Sequence, residues 1–432
     1  MIQLFFLITT LSAYQIWQVT DVHYDANYKP NTDLSTYCRS GNGTARPFGD
    51  YNCDTTYEVL SSIPPFIKMH SSDKNKNKIL LYNGDIIPRH VEYDTFDYIA
   101  EGLDNATIFL NSFEDFEVIP MLGNHDAIPE NHLNETTTFV YEYAAKKWRK
   151  WLPESAIKTF RKGGYYTKRI RNTGSENRMI NDNKNDNFNN NNNDNKNVKD
   201  EEAYVIVLNT VLYYTHNPTV ADGTDPCDQF VWLEETLENY RRGKKNVLIA
   251  AHICPGVSER YNWTDQMYGQ YDSRLINLIA SYDDVVIGMV CGHLHLDTFR
   301  ILESDDRKHT VIGYLSPSLD AYLSVNPSLR IYDIKGKVVQ NYINYKVDLE
   351  GERVEWTKTY NFKEEYGYDD CSTVSMKQFA SDMHDDRNLH DIWYKHLRAD
   401  TDDYTCDDKC WNNNLCAIEH PRTSERDQCY KF

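Results

Sequence analysis

The sequence predicts an α/β fold: a layered β-sandwich flanked by helices, with a small helical, disulfide-rich C-terminal subdomain. Three observations predict it. Short apolar, β-rich runs alternate with stretches carrying helix-period apolar positions, the signature of layered α/β architectures. A polar motif follows strand after strand. From residue 348 onward the chain turns polar, helical and rich in cysteine.

Taken in order, residues 16–20, 79–82, 118–122, 204–209, 247–251, 285–291 and 311–315 read as buried strands. Residues 95–111, 139–151, 230–241 and 273–281 read as helices with one apolar face. A closing hairpin is expected from 328–334 and 338–347 around Lys335-Gly336-Lys337, and a C-terminal helix over 376–397. Residues 181–197 hold 11 Asn among 17 residues and only Phe188 is apolar. Such a segment cannot bury enough surface to order itself, so a disordered insertion spanning about 175–200 is expected. The organisation is therefore a signal peptide at 1–13, a catalytic domain at 14–347 and a C-terminal subdomain at 348–432.

The 432 residues are 40% hydrophobic and 13% aromatic, enough for a large core. Asp and Glu number 65 against 46 Lys and Arg, a formal charge of −19. That field repels polyanions, which argues against a nucleic-acid polymer or an anionic membrane as partner. The apolar run from Met1 to Ala13 is too short to span a bilayer and has the form of a secretory signal. The C-terminus carries no hydrophobic tail for a GPI anchor, and no later stretch suggests a transmembrane helix. Sequons at Asn42, Asn105, Asn134 and Asn262 are candidate N-glycan sites. Ten cysteines suit an oxidising compartment, either extracellular or a lysosome-like lumen. Cys406, Cys410, Cys416 and Cys429 lack the CxxC spacing of a zinc ribbon, so disulfides are favoured there. The expected pairs are Cys38–Cys53, Cys406–Cys410 and Cys416–Cys429, although sequence alone leaves other connectivities open. Cys254 and Cys291 lie in apolar runs and read as buried free thiols; Cys227 and Cys371 have no assignment.

Chemistry concentrates where strands end. Thr20-Asp21-Val22-His23, Asn83-Gly84-Asp85, Gly123-Asn124-His125-Asp126, His252 and Gly292-His293-Leu294-His295 each follow a predicted strand. Ligands of open α/β sheets bind at the carboxyl ends of strands. A lone buried His is more often a satisfied core residue, and Gly-Asp alone is a turn signal. The ordered set of five motifs outweighs those readings. In extended chain, Asp21 with His23, and His293 with His295, would project to one side, with Val22 and Leu294 turned to the core. Carboxylates, an Asn carbonyl and neutral imidazoles suit Zn²⁺, Mn²⁺ or iron. Glycines 84, 123 and 292 allow close backbone approach.

These motifs, with His252-Ile253-Cys254-Pro255-Gly256, Asn326-Pro327, Arg330 and the C-terminal cysteines, resemble the calcineurin-like metallophosphoesterases and, within them, the acid sphingomyelinase-like phosphodiesterases. The resemblance implies two divalent metal ions, zinc being the first choice. Asp21, His23, Asp85 and His295 would hold one; Asp85, Asn124, His252 and His293 would hold the other. It further implies hydrolysis of a phosphodiester by a hydroxide shared between the ions, with His125 as general acid, and Asp126 either orienting His125 or capping the next turn. His90 stands five residues after Asp85 where the family has four, so its place in the site is open, and Arg89 could instead meet a phosphate. Pro88 replaces the Tyr ligand of purple acid phosphatases, and the Asp-Arg-Gly element of protein phosphatases is absent. Without a preceding saposin domain, the sequence leans to the sphingomyelinase-like group, with sphingomyelin-type phosphocholine or nucleotide phosphodiesters as substrates. The alternative is a secreted pseudoenzyme, or a metal-containing binding protein on the same scaffold.

Overall fold

The structure, a computed structural model, describes residues 13–71, 77–90, 95–170, 203–259, 264–401 and 405–429. The signal-peptide expectation (apart from Ala13), the Asn-rich insertion and Asn262 lie outside these residues.

Fourteen strands are formed among the described residues: β1 Ala13–Val19, β2 Asn77–Tyr82, β3 Glu117–Pro120, β4 Tyr166–Ile170, β5 Ala203–Leu208, β6 Asn246–Ala251, β7 Val257–Ser258, β8 Thr264–Asp265, β9 Val286–Cys291, β10 Thr298–Glu303, β11 Thr310–Leu315, β12 Ser328–Lys335, β13 Val338–Val347 and β14 Trp356–Asn361. Two six-stranded sheets result, ordered β14-β13-β12-β1-β2-β3 and β10-β11-β9-β6-β5-β4. Each holds a parallel run: β1 with β2 and β2 with β3 at one edge of the first, β5 with β6, β6 with β9 and β9 with β11 through the middle of the other. Strands covered on both faces need continuous apolar runs, and β6 is buried at every position. One core cluster spans both sheets. Side chains tie the layers together where backbone cannot, with Gln18 donating to the Cys291 carbonyl and Asn83 to that of Ala251.

Helices cover the outer faces: α1 Tyr57–His70, α2 Phe96–Asn111, α3 Thr138–Lys147, α4 Ile157–Gly163, α5 Gln229–Gly243 and α6 Gly269–Ala280. Beyond β14 follow α7 Phe362–Tyr366, α8 Thr373–Asp385, α9 Arg387–Leu397, α10 Asp408–Glu419 and α11 Thr423–Cys429. The layered α/β class expected from sequence is thus the observed one, with disulfides Cys406–Cys410 and Cys416–Cys429 in the C-terminal helical region. Each of the seven expected strands has its counterpart, and the hairpin is β12–β13.

Three details differ from the sequence reading. The expected helix 376–397 is two helices, because Asp386 is extended and its carboxylate caps α9 by accepting from the amides of Asn388 and Leu389. Helix α1 was not anticipated. Pro64 and Pro65 interrupt its pattern, yet Val59, Leu60, Ile63, Phe66 and Ile67 keep a buried stripe. Cys254 and Cys291 are not free thiols but form a disulfide, since adjacent strands β6 and β9 end side by side with the two Cα atoms 5.6 Å apart. The Cys38–Cys53 bond is present as expected, and Cys227 and Cys371 are free and buried.

Candidate metal centre

All five polar motifs leave the carboxyl ends of parallel strands, three from one sheet and two from the other. Asp21 and His23 follow β1, Asp85 follows β2, Asn124 follows β3, His252 follows β6, and His293 and His295 follow β9. Packing the sheets brings these ends together. The Asp85 carboxylate lies between two histidines, with Oδ2 3.6 Å from His23 Nε2 and 3.1 Å from His252 Nε2. Asp21 Oδ1 is 3.4 Å from His295 Nε2. Asn124 Oδ1 is 2.9 Å from both His252 Nε2 and His293 Nδ1. Potential ligand atoms of Asp21, His23 and His295 lie within 4.8 Å of one another, as do those of Asp85, His252 and His293.

The i, i+2 pairs do not sit in extended chain as expected. Asp21 (φ 52°), His23 (40°), Asp85 (58°), His293 (69°) and His295 (56°) all adopt the left-handed region, which costs L-residues energy and clusters at functional sites. Val22 and Leu294 do turn into the core. The tight chain reversals need glycine at two contacts. A Cβ on Gly123 would lie 2.1 Å from Asp85 Oδ1, and one on Gly292 would lie 1.8 Å from Thr20 Oγ1.

Neighbouring groups aim the donors. His23 Nδ1 is 2.8 Å from the Ile87 carbonyl and His252 Nδ1 is 2.7 Å from that of Asn83, so each ring donates there and turns its Nε2 inward. Asn131 Oδ1 accepts from Asn124 Nδ2 at 2.8 Å, which points the Asn124 oxygen at the histidines. Thr20 donates to Asp21 Oδ2, and the His293 amide donates to the same carboxylate. Burial alone would raise the Asp85 carboxyl, but His252 and His125 reverse this and hold it at about 2. Asp21 is likewise buried, yet His295 and His252 keep it well below the ordinary carboxylate range. Burial pulls His23 and His293 well down, whereas Asp85 overcomes burial at His252 and lifts it to about 9. Two buried carboxylates among inward-turned imidazoles form an electron-rich cluster fitted to divalent cations.

His125 borders a cavity of about 320 Å³ together with Asp85, Arg89, Asn124, Tyr214 and His216. Its amide donates to Asp85 Oδ1 at 2.8 Å, its ring meets that of His23 edge-on at 4.8 Å, and Nδ1 is 3.4 Å from Glu130 Oε1. Burial lowers its pKa to about 4 despite Asp85.

A sequence profile of the calcineurin-like phosphoesterases matches residues 14–297. The chain belongs to that family. The five polar motifs, from Thr20 to His295, all fall within the matched region. Among curated relatives, the cyclic GMP-AMP phosphodiesterase SMPDL3A of Homo sapiens is 30% identical over 431 residues, covering 94% of this chain and 87% of the relative. That of Rattus norvegicus is 29% identical over 96% of this chain and 92% of the relative. Sphingomyelinase phosphodiesterase C of Dictyostelium discoideum is 27% identical, with the same coverage of 96% and 92%. The resemblance read from the motifs therefore extends over nearly the whole chain.

Within this phosphoesterase scaffold, Asp21, His23, Asp85, Asn124, His252, His293 and His295 converge, and His125 adjoins them. His90 does not. It is exposed, stacked on Tyr37 at 3.9 Å, with Nε2 3.4 Å from the Tyr322 hydroxyl. Its neighbour Arg89 points inward instead. Asp126 neither orients His125 nor caps the following turn. Its buried carboxylate accepts from the amides of Gly123, Asp85 and Ile86, tying the β2 and β3 loops together, and burial raises it to about 6. Asn131, Asp54 and Asp320 have no motif around them; only the folded chain brings them to the site.

Proposed function

We propose that the chain is a secreted, dinuclear-metal phosphodiesterase that hydrolyses small phosphodiesters. The carrying observation is the Asp85 carboxylate, set between the imidazoles of His23 and His252 at 3.6 and 3.1 Å. Asp21, His23, Asp85 and His295 hold one ion, and Asp85, Asn124, His252 and His293 the other. Zinc suits these donors. Ions at such sites act as Lewis acids toward phosphoryl oxygens and acidify bound water. His125 borders the cavity and gives the leaving oxygen its proton, Glu130 lying 3.4 Å behind its Nδ1. His125 also lies within ligand distance of His23 and Asp85, so its role as acid rather than ligand is part of the proposal.

The substrate is a nucleotide diester or a sphingomyelin-type phosphocholine diester, the first class supported by relatives named for cyclic GMP-AMP and the second by one named for sphingomyelinase. Residues 14–347 carry the chemistry, and residues 348–432 buttress it. Secretion is supported by four disulfides and by the apolar N-terminus. Asn42, Asn105 and Asn134 stand at least partly exposed for glycans. No described helix is long and apolar enough to cross a membrane. The test is turnover of bis-p-nitrophenyl phosphate, cyclic GMP-AMP and sphingomyelin micelles by secreted protein, before and after chelation and re-addition of zinc. Chelator-sensitive turnover of at least one diester is expected. Full turnover by protein shown to be metal-free would refute the reading, and zinc binding without any turnover would favour the binding-protein alternative.

A further inference from the structure

Arg89 makes the two halves of the metal centre unequal. Its Nη2 lies 2.8 Å from His23 Nε2 and 2.9 Å from His295 Nε2. A guanidinium has only N–H donors and no acceptor, so these contacts are hydrogen bonds from Arg89 onto the imidazole lone pairs. The His23 proton is engaged on the other side of its ring by the Ile87 carbonyl. The opposite half has a neutral partner in the same place, because His252 and His293 both meet Asn124 Oδ1.

We propose that Arg89 is an internal cation that competes with the metal ion of the Asp21–His23–His295 position, so that this position loads only when the guanidinium withdraws. The inference rests on the two-metal reading above. Each imidazole nitrogen offers a single lone pair. It accepts an N–H at the observed 2.8–2.9 Å or coordinates a cation at about 2.0–2.1 Å, not both. Two positive charges at one position also repel.

A withdrawn position is built into the fold. Arg89 Nη1 reaches Asp54 Oδ1 at 3.0 Å and Asp320 Oδ2 at 2.5 Å, and the Arg89 amide donates to Asp54 Oδ2 at 2.6 Å. The guanidinium also lies over the Tyr322 ring, 5.1 Å from its centroid. Rotation about the Nη1 anchor releases both histidines while keeping the charge paired with Asp54 and Asp320. Arg39 fixes the loop by donating to the carbonyls of Arg89 and His90. Among the described residues no guanidinium hydrogen-bonds His252 or His293, so that position loads first.

The test is calorimetric titration of the full, metal-stripped chain with Zn²⁺, with stoichiometry checked by elemental analysis. Wild type is expected to bind two ions in unequal steps. Arg89→Met keeps the length of the side chain and removes both charge and donors. It should strengthen the weaker step by on the order of tenfold or more, the scale of two lost charge-assisted hydrogen bonds, and leave the stronger step within about twofold. Two ions binding to Arg89→Met with unchanged affinities would overturn the inference and leave the two-metal reading intact. No zinc binding by wild type would overturn both. Should Arg89→Met not fold, a crystal structure of zinc-loaded wild type decides. Arg89 withdrawn onto Asp54 and Asp320 supports the competition, and Nη2 still bonded to His23 and His295 beside a bound ion refutes it.

Discussion

At the scale of the residue, the centre rests on two buried carboxylates, Asp21 and Asp85, packed among the imidazoles of His23, His252 and His295. Asp21, His23, Asp85, Asn124, His252, His293 and His295 announce themselves because few arrangements place carboxylate, amide and imidazole after successive strands. Their aim depends on Asn131, which has no motif around it and turns Asn124, and on Asp126, which grips three amides. Asp85 and His125 make separable predictions. Asp85→Ala removes the carboxylate between the two histidines, so metal content measured by elemental analysis should fall and activity with it. His125→Ala should lower kcat by roughly 10²–10⁴ with metal content intact, the range for a lost general acid. Metal lost from that variant would reassign His125 as a ligand.

At the scale of the element, the site depends on loops that leave strands in costly backbone conformations. Left-handed Asp21, Asp85 and His293 are held by contacts between loops, including the Asp21 carboxylate on the His293 amide and the Gly292 amide on the His252 carbonyl. The Cys254–Cys291 disulfide lies between the same two loops, its cysteines two residues from His252 and His293, and both are buried. It closes a sequence separation of 37 residues. Replacing both cysteines by Ala should lower unfolding free energy by about 2–4 kcal/mol, measured by denaturant titration. Zinc affinity should fall as well, because the two histidine-bearing loops lose their shared anchor. A variant as stable as wild type with unchanged zinc affinity would show the bond to be dispensable. Sequence periodicity located the strands but missed this bond, since a cysteine within an apolar run looks like any small buried residue.

At the scale of the whole molecule, buried carboxyls link stability to pH. Asp272 on α6 is buried, accepts from the Gly256 amide at 2.9 Å, and is raised from 3.8 to about 7 by burial, with Asp265 adding to this and Arg422 and Arg426 opposing it. The folded state therefore holds this proton more tightly than the unfolded chain. The stabilisation is fully present below the unfolded value of 3.8 and is lost as pH rises through about 7. Melting temperature should accordingly fall between pH 4 and pH 7.5 (about the span of that titration), and Asp272→Asn should flatten the decline. An equally steep decline in the Asn variant would assign it to other groups.

Sequence by itself determined the α/β class, the strands of the parallel core, the polar motifs that converge at their ends and the family, because each is written in local periodicity or in short fixed spacings. Tertiary structure alone decided that Arg89 rather than His90 enters the centre, that Asp126 braces Asp85, that 376–397 breaks at Asp386, and that Cys254 bonds Cys291. Those outcomes join residues tens to hundreds of positions apart or turn on a single backbone conformation, and a one-dimensional pattern does not encode which distant side chains the packing of two sheets will bring into contact.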